Sequence, residues 1–163
     1  TWSQNSYPGA AVDVQSPLYS LSMEPYPWTQ MFAQQDELVR YTKHVIAKHG
    51  LDAKTRLNAD VQEVRWDEAK QVWHVKTAAA GDFEARFLIN ASGPLSTPVI
   101  PNFKGRDTFQ GRSFHTNSWD HSYDLRGKRV AIIGSGASAA QVIPAIAPDV
   151  KQLHVFQDRK STR

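Results

Sequence analysis

The clearest chemical signal in these 163 residues is Gly134-Ser135-Gly136-Ala137-Ser138-Ala139, a G-x-G-x-x-A turn that follows the apolar run Arg129 to Ile133. Glycine at 134 permits a tight turn, glycine at 136 lets the backbone approach a pyrophosphate, and alanine at 139 lets a helix lie close to its strand. The anion then rests on the free amides of the helix N-terminus. Gly134, Ser135, Gly136, Ala137, Ser138 and Gln141 form the expected nucleotide-binding set. The plainer alternative is a glycine-rich link that only joins strand to helix. Cofactor choice belongs to the end of the next strand, where an acidic residue takes a ribose 2′-hydroxyl and an arginine takes a 2′-phosphate. Asp158 and Arg159 stand there side by side. We read the pair as NADP binding through Arg159, the alternative being that residues 158 to 163 bind nothing.

His115 is a second chemical candidate, as a metal ligand or a general base. No second His, Asp or Glu stands at ligand spacing from it, and Asp120 and His121 are in the wrong local pattern, so no metal is expected.

The elements that must position these residues follow from periodicity. Residues 1 to 33, with Tyr7-Pro8-Gly9-Ala10, Ser16-Pro17, Glu24-Pro25 and Tyr26-Pro27-Trp28, read as irregular structure lined with aromatics. Leu38, Tyr41, Val45 and Ile46 recur at helical spacing from Gln35 to His49, and Gly50 occupies a C-cap position. Three strands are predicted at Asp60 to Trp66, Gln71 to Thr77 and Ala85 to Ala91, the first two as a hairpin. Gly93 to Trp119 reads as a connector. From Gly127 onward a right-handed βαβ unit is predicted: strand Arg129 to Ile133, helix Ala137 to Ala147 disturbed by Pro144, and strand Gln152 to Phe156.

Composition narrows the function class. With 40% hydrophobic and 21% charged residues the chain has ordinary globular character, and it contains no membrane-length apolar run and no visible signal peptide, so a cytoplasmic location is expected. The absence of cysteine removes disulfides, thiolate metal sites and thiol catalysis from these residues. Nineteen basic against sixteen acidic residues give a net charge of +3, too dilute for a nucleic-acid surface.

Upstream of the dinucleotide turn, Phe109, Gly111, His115, Trp119 and Asp120 read as F-x-G-x-x-x-H-x-x-x-W-D. This pattern resembles the fingerprint of the type I Baeyer-Villiger monooxygenases, flavoenzymes that insert one oxygen atom of O2 beside a ketone carbonyl. Thr1-Trp2, Asn5, Tyr7-Pro8-Gly9-Ala10 and Asp13 resemble a further family segment. Tyr19, Gln35-x-Glu37, Trp66-Asp67-Glu68 and Ala91-Ser92-Gly93-Pro94-Leu95-Ser96 also match family positions. The resemblance implies an α/β flavoprotein with two dinucleotide-binding domains. Residues 1–100 would belong to an incomplete FAD domain, 101–126 to a linker carrying the fingerprint, and 127–163 to the start of a Rossmann-type NADP domain. FAD and NADPH are the implied cofactors, a small-molecule ketone and O2 the implied substrates, with neither nucleic acid nor membrane as partner.

By the same resemblance Trp2, Asp13, Tyr19 and Val61 touch or border FAD. Asp13 supports the family's catalytic arginine, a role that suits a carboxylate orienting a guanidinium. His115 helps couple the two domains, and Phe109 and Trp119 anchor the linker by packing. Two departures weaken nucleotide contacts from the first loop: Ser6 stands where arginine is frequent, and Ala11-Val12 replace Arg-Cys. The FAD-binding G-x-G-x-x-G turn and the catalytic arginine have no counterpart here, so the chain is read as an internal fragment, inactive alone. An N- or S-oxidising flavin monooxygenase is the enzymatic alternative, against which Trp119-Asp120 argues. A non-catalytic nucleotide-binding remnant is the other.

Overall fold

The computed structural model describes residues 2–93 and 97–157, which form two compact units of mixed α/β structure. One unit draws on residues 1–43 and 97–163, the other on 44–96.

The 44–96 unit is an antiparallel sheet in the order β1 (Val61–Asp67), β2 (Val72–Thr77), β3 (Asp82–Ala85). Trp66 faces Trp73 across β1 and β2, with ring centroids 5.2 Å apart, a cross-strand aromatic pair of the kind that stabilises a hairpin. The β2–β3 turn is tied by Thr77, whose hydroxyl donates to the Gly81 carbonyl at 2.6 Å and accepts from the Ala80 amide at 3.0 Å. Gly81 adopts φ +87°, the left-handed region open to glycine. That turn sets the register and corrects the third predicted strand. Pairing runs from Lys76↔Asp82 to Trp73↔Ala85, so β3 ends where the predicted strand begins. Beyond Ala85 the partner strand has almost run out. Phe87 and Ile89 are 81% and 87% exposed, and Phe87 to Ala91 form no strand.

Helix α1 (Gln35–Lys48) ends as expected at Gly50. The Leu51 amide donates to the Ile46 carbonyl at 2.9 Å and the Gly50 amide to Ala47 at 3.3 Å, the paired bonds of a Schellman cap.

In the larger unit β4 (Arg129–Ile133) and β5 (Gln152–Phe156) pair in parallel across α2 (Ala137–Ile146), as predicted. The Gly134 amide extends the ladder to the Phe156 carbonyl at 2.8 Å. Pro144 lies in the last turn of α2 without ending it, and the Ala147 amide still reaches the Ile143 carbonyl at 3.0 Å. One face of the βαβ unit makes the core. Tyr7, Ala10, Val142 and Ile146 are buried together, with Trp119, Leu125, Val130, Ile132, Val150 and Leu153 packed around them. A second cluster, Val12, Ala33 and Leu38, packs against Trp2 and Trp28.

Candidate functional site

The turn between β4 and α2 has an open geometry. Gly134 adopts φ +116°, which side-chain-bearing residues rarely reach, and a Cβ added at Gly134 or Gly136 would meet nothing within 4 Å. α2 starts at Ala137 with no side-chain cap at Gly136 and no acidic residue in its first turn. Unblocked amides and an uncompensated positive dipole end suit a phosphate group. Arg159, the residue chosen for a 2′-phosphate, lies outside the described residues.

A loop from the N-terminal segment docks on the same helix. Gly9, with φ +78°, sits so close to α2 that a Cβ there would stand 2.5 Å from the Gln141 carbonyl oxygen and 3.1 Å from Cβ of Ala145. Only glycine fits. Tyr7 and Ala10 on either side enter the core, which accounts for Tyr7-Pro8-Gly9-Ala10 as a docking element. The Gln141 side chain completes the attachment: it accepts from the Tyr7 hydroxyl at 2.8 Å and the Ala11 amide at 3.3 Å, and donates to the Ala11 carbonyl at 2.8 Å and Asp13 Oδ1 at 3.4 Å. Gln141 was expected among the nucleotide contacts. In this structure its side-chain amide is bonded to the loop.

Trp2 and Tyr19 are brought together. The indole N–H donates to the Tyr19 hydroxyl at 2.8 Å and the rings meet edge-on with centroids 6.0 Å apart. Gln35 fixes this pair from α1 by donating to the Trp2 carbonyl at 2.5 Å, while Glu37 accepts from the Thr29 amide and hydroxyl, both at 2.9 Å. Gln35-x-Glu37 therefore holds loops from the first turn of a helix. Neither holding role was read from the sequence, although an acidic residue in a helix first turn is a general signal. Ser16 was missed as well: its hydroxyl accepts from the Ala33 amide at 2.8 Å, and its single O–H lies within reach of both the Gln30 and Met31 carbonyls, at 2.9 and 3.0 Å. Val61 begins β1 in the other unit, beside a break in register between Val61 and Glu63, and is 53% exposed. A bulge of this kind re-aims a side chain.

The fingerprint resolves into separate parts. His115 caps the 3-10 turn Thr116–Ser118, its Nδ1 accepting from the Asn117 amide at 3.1 Å, which leaves Nε2 to carry the proton of the neutral ring. Trp119 packs on the core and meets Phe114 edge-on at 5.1 Å. Asp120 accepts from Ser122 through its hydroxyl at 2.5 Å and its amide at 3.1 Å, and from Arg112 Nε at 2.8 Å, with a second bond from the same guanidinium. The Ser122 hydroxyl and the Arg112 guanidinium hold the Asp120 carboxyl below the usual carboxylate range. Phe109 does not anchor the linker in the way expected. It is 64% exposed and lies over Gly111, where a Cβ would stand 2.4 Å from its ring. The segment is bound to the first loop by Ser6 Oγ and His121 Nε2 at 2.8 Å, and by a 3.4 Å bond from Asn117 to Asn5.

Residues 7–162 match the model of the family described as pyridine nucleotide-disulphide oxidoreductase. The chain belongs to this family. No residue in it can carry the disulphide part of that description, since cysteine is absent from the sequence. Among curated relatives, a Baeyer-Villiger monooxygenase of Pseudomonas aeruginosa is 46% identical over 96% of the chain and 30% of its own length. A phenazine N-monooxygenase of Lysobacter antibioticus is 38% identical over 96% of the chain, again 30% of the relative. A solved steroid monooxygenase bound to NADP superposes with a TM-score of 0.85 at 40% identity, covering 96% of this chain and 31% of that one. The chain thus spans about a third of the length of these proteins, and the likeness to Baeyer-Villiger monooxygenases read from the fingerprint is borne out. No helix among the described residues is long and apolar enough to cross a membrane.

Proposed function

We propose that this oxidoreductase chain is part of an FAD- and NADPH-dependent monooxygenase that converts ketones to esters or lactones with O2. The observation that carries the reading is the open Gly134–Gly136 turn directly behind the docked fingerprint, in a chain 46% identical to a Baeyer-Villiger monooxygenase. The turn fits a dinucleotide: its glycines leave room for a pyrophosphate, and the α2 amides face it without a competing cap. Ser135, Ala137 and Ser138 would contribute contacts of the same phosphate group, and Arg159 the 2′-phosphate. The Trp2–Tyr19 pair would form one wall beside FAD, with Asp13 on the same segment of chain. Bound FAD would supply the electron relay from NADPH to O2. The chain's own residues bind, orient and support: Asp13 would orient a guanidinium, and His115, by capping its turn through Nδ1, would hold the linker in shape between residues 1–100 and 127–163. We place the reaction in the cytoplasm, an inference from composition.

A second reading, N-oxidation, is favoured by the phenazine N-monooxygenase relative at 38% identity. One experiment separates the two. The full-length protein is supplied with NADPH and O2 and offered a cyclic ketone or a phenazine, and the products are identified by mass. Lactone formation supports the proposal; phenazine N-oxide with no lactone replaces it with the second reading; failure to retain flavin leaves a nucleotide-binding remnant.

A further inference from the structure

The amide of Gln141 has no spare hydrogen-bonding capacity. A primary amide offers two acceptor positions and two N–H donors. In Gln141 the acceptors are taken by the Tyr7 hydroxyl and the Ala11 amide, and the donors by the Ala11 carbonyl and the Asp13 carboxylate. Its backbone is approached closely too, since a Cβ at Gly9 would stand 2.5 Å from the Gln141 carbonyl oxygen. Gln141 lies five residues beyond Gly136 on α2, about 7.5 Å along the helix axis at 1.5 Å per residue. The distance is spanned by one rigid element whose inner face is buried through Ala139 and Val142. Asp13, at the far end of this connection, is exposed and stands two residues past the doubly bonded Ala11.

Resting on the functional reading above, we propose that Gln141 is a positioning residue: it ties the Asp13 carboxylate to the helix opened by the dinucleotide turn, so that nucleotide at the turn is felt at the Asp13 loop. Any displacement of the α2 N-terminus on binding is carried to Asp13 through hydrogen bonds and the Gly9 contact, without an intervening flexible segment.

The test uses the full-length protein loaded with FAD. NADP+ affinity is measured by equilibrium dialysis, and the change in flavin absorbance at saturating NADP+ is read separately. Gln141→Leu, which keeps the volume and removes all four hydrogen bonds, is expected to bind NADP+ within about threefold of the unaltered protein while its flavin response falls by about threefold or more. Asp13→Asn should reduce the same response, and the double substitution should reduce it no further, as two residues acting through one link require. Gln141→Glu keeps the acceptors but loses both donors, and it should lose the response as Gln141→Leu does. A loss of NADP+ affinity of about tenfold or more in Gln141→Leu with the flavin response intact overturns the assignment, as do additive effects of the two substitutions. Should Gln141→Leu fail to fold, Gln141→Glu and Tyr7→Phe carry the same comparison. If the unaltered protein takes up neither FAD nor NADP+, the functional reading fails on its own. The Gln141 link is then judged by hydrogen exchange at the Ala11 amide, which should quicken about tenfold or more in Gln141→Leu and whose constancy would overturn it.

Discussion

The two units are stabilised in opposite ways. In the 44–96 unit residues 61–85 form one continuous antiparallel sheet with its turns, yet Thr77 is the unit's one buried residue among those described. Strand register, the Trp66–Trp73 pair and polar side-chain contacts hold it together: His74 Nε2 lies 3.2 Å from Asp67 and its Nδ1 3.2 Å from Glu84, and Lys70 stands 3.7 Å from Glu84. In the larger unit much of the chain is loop, but the first loop is anchored by buried residues such as Tyr7, Ala10 and Val12 and is bonded over long separations. Tyr7 meets Gln141, Ser6 meets His121, and Asn5 meets Asn117, each more than a hundred residues apart in sequence. Irregular backbone here is the more specified of the two, because close packing and satisfied polar groups fix a loop as firmly as a ladder fixes a strand.

The sharpest way to break this comparison is at Gly9. Gly9→Ala combines a left-handed φ, costing about 1–2 kcal/mol, with overpacking against the Gln141 carbonyl, costing about 1–3 kcal/mol, and is expected to destabilise the full-length protein by about 2–5 kcal/mol in denaturant unfolding. A loss under about 1 kcal/mol would mean that the loop is not docked as described. Val142→Ala, which opens the core at a residue 1% exposed, should cost about 2 kcal/mol, whereas Phe83→Ala on the half-exposed face of β3 should cost less than about 1 kcal/mol. Equal losses would remove the contrast between the units.

Gly136 separates a glycine kept for a ligand from one kept for the fold. Because a Cβ at Gly136 meets nothing, Gly136→Val should leave the melting temperature nearly unchanged while weakening NADP+ binding about tenfold, or about 1.4 kcal/mol, in a dialysis titration. Undiminished affinity would take the nucleotide away from this turn.

Acid titration offers a finer comparison. Asp120 and Asp67 both have native pKa values below the ordinary 3.8, the first chiefly through Ser122 and then Arg112, the second chiefly through the Lys70 amide and then His74. A lowered native pKa stabilises the fold above the unfolded value, and that stabilisation is lost as pH falls below about 3.8 through the native value. Asp120→Asn and Asp67→Asn should each flatten the acid limb of a melting-temperature profile below pH 4 relative to the unaltered protein. The smallest effect belongs to Lys70→Ala, whose exposed pairing with Glu84 should be worth no more than about 0.5 kcal/mol by double-mutant cycle.

Local pattern determined the elements that need only neighbours. Helical spacing and Gly50 gave α1 and its cap, turn chemistry gave the β1–β2 hairpin, and an apolar run before Gly134 gave β4, the dinucleotide turn and α2. These signals act within one element or one turn, so periodicity and residue type suffice to reveal them. The same local logic misplaced the third strand. Ala85 to Ala91 has the composition of a strand, but the hairpin turn at residues 78–81 had already spent the available partner on Asp82–Ala85.

Tertiary structure decided what the candidate site residues do. Gln141, a nucleotide-contact candidate by its place beside the G-x-G turn, has its side-chain amide bonded to Tyr7, Ala11 and Asp13. Gly9 reads as a turn glycine and is required by a helix more than 130 residues later. Within the fingerprint, sequence spacing treats Phe109 and Trp119 alike, yet one lies exposed over Gly111 and the other enters the core. Residue types and spacing determined that a dinucleotide turn and a fingerprint are present, since both are carried by contiguous chain. Which side chains are committed to the protein and which stay open beside the turn was decided by contacts between distant segments, because a side chain's hydrogen-bonding capacity is finite and the fold commits it to particular partners.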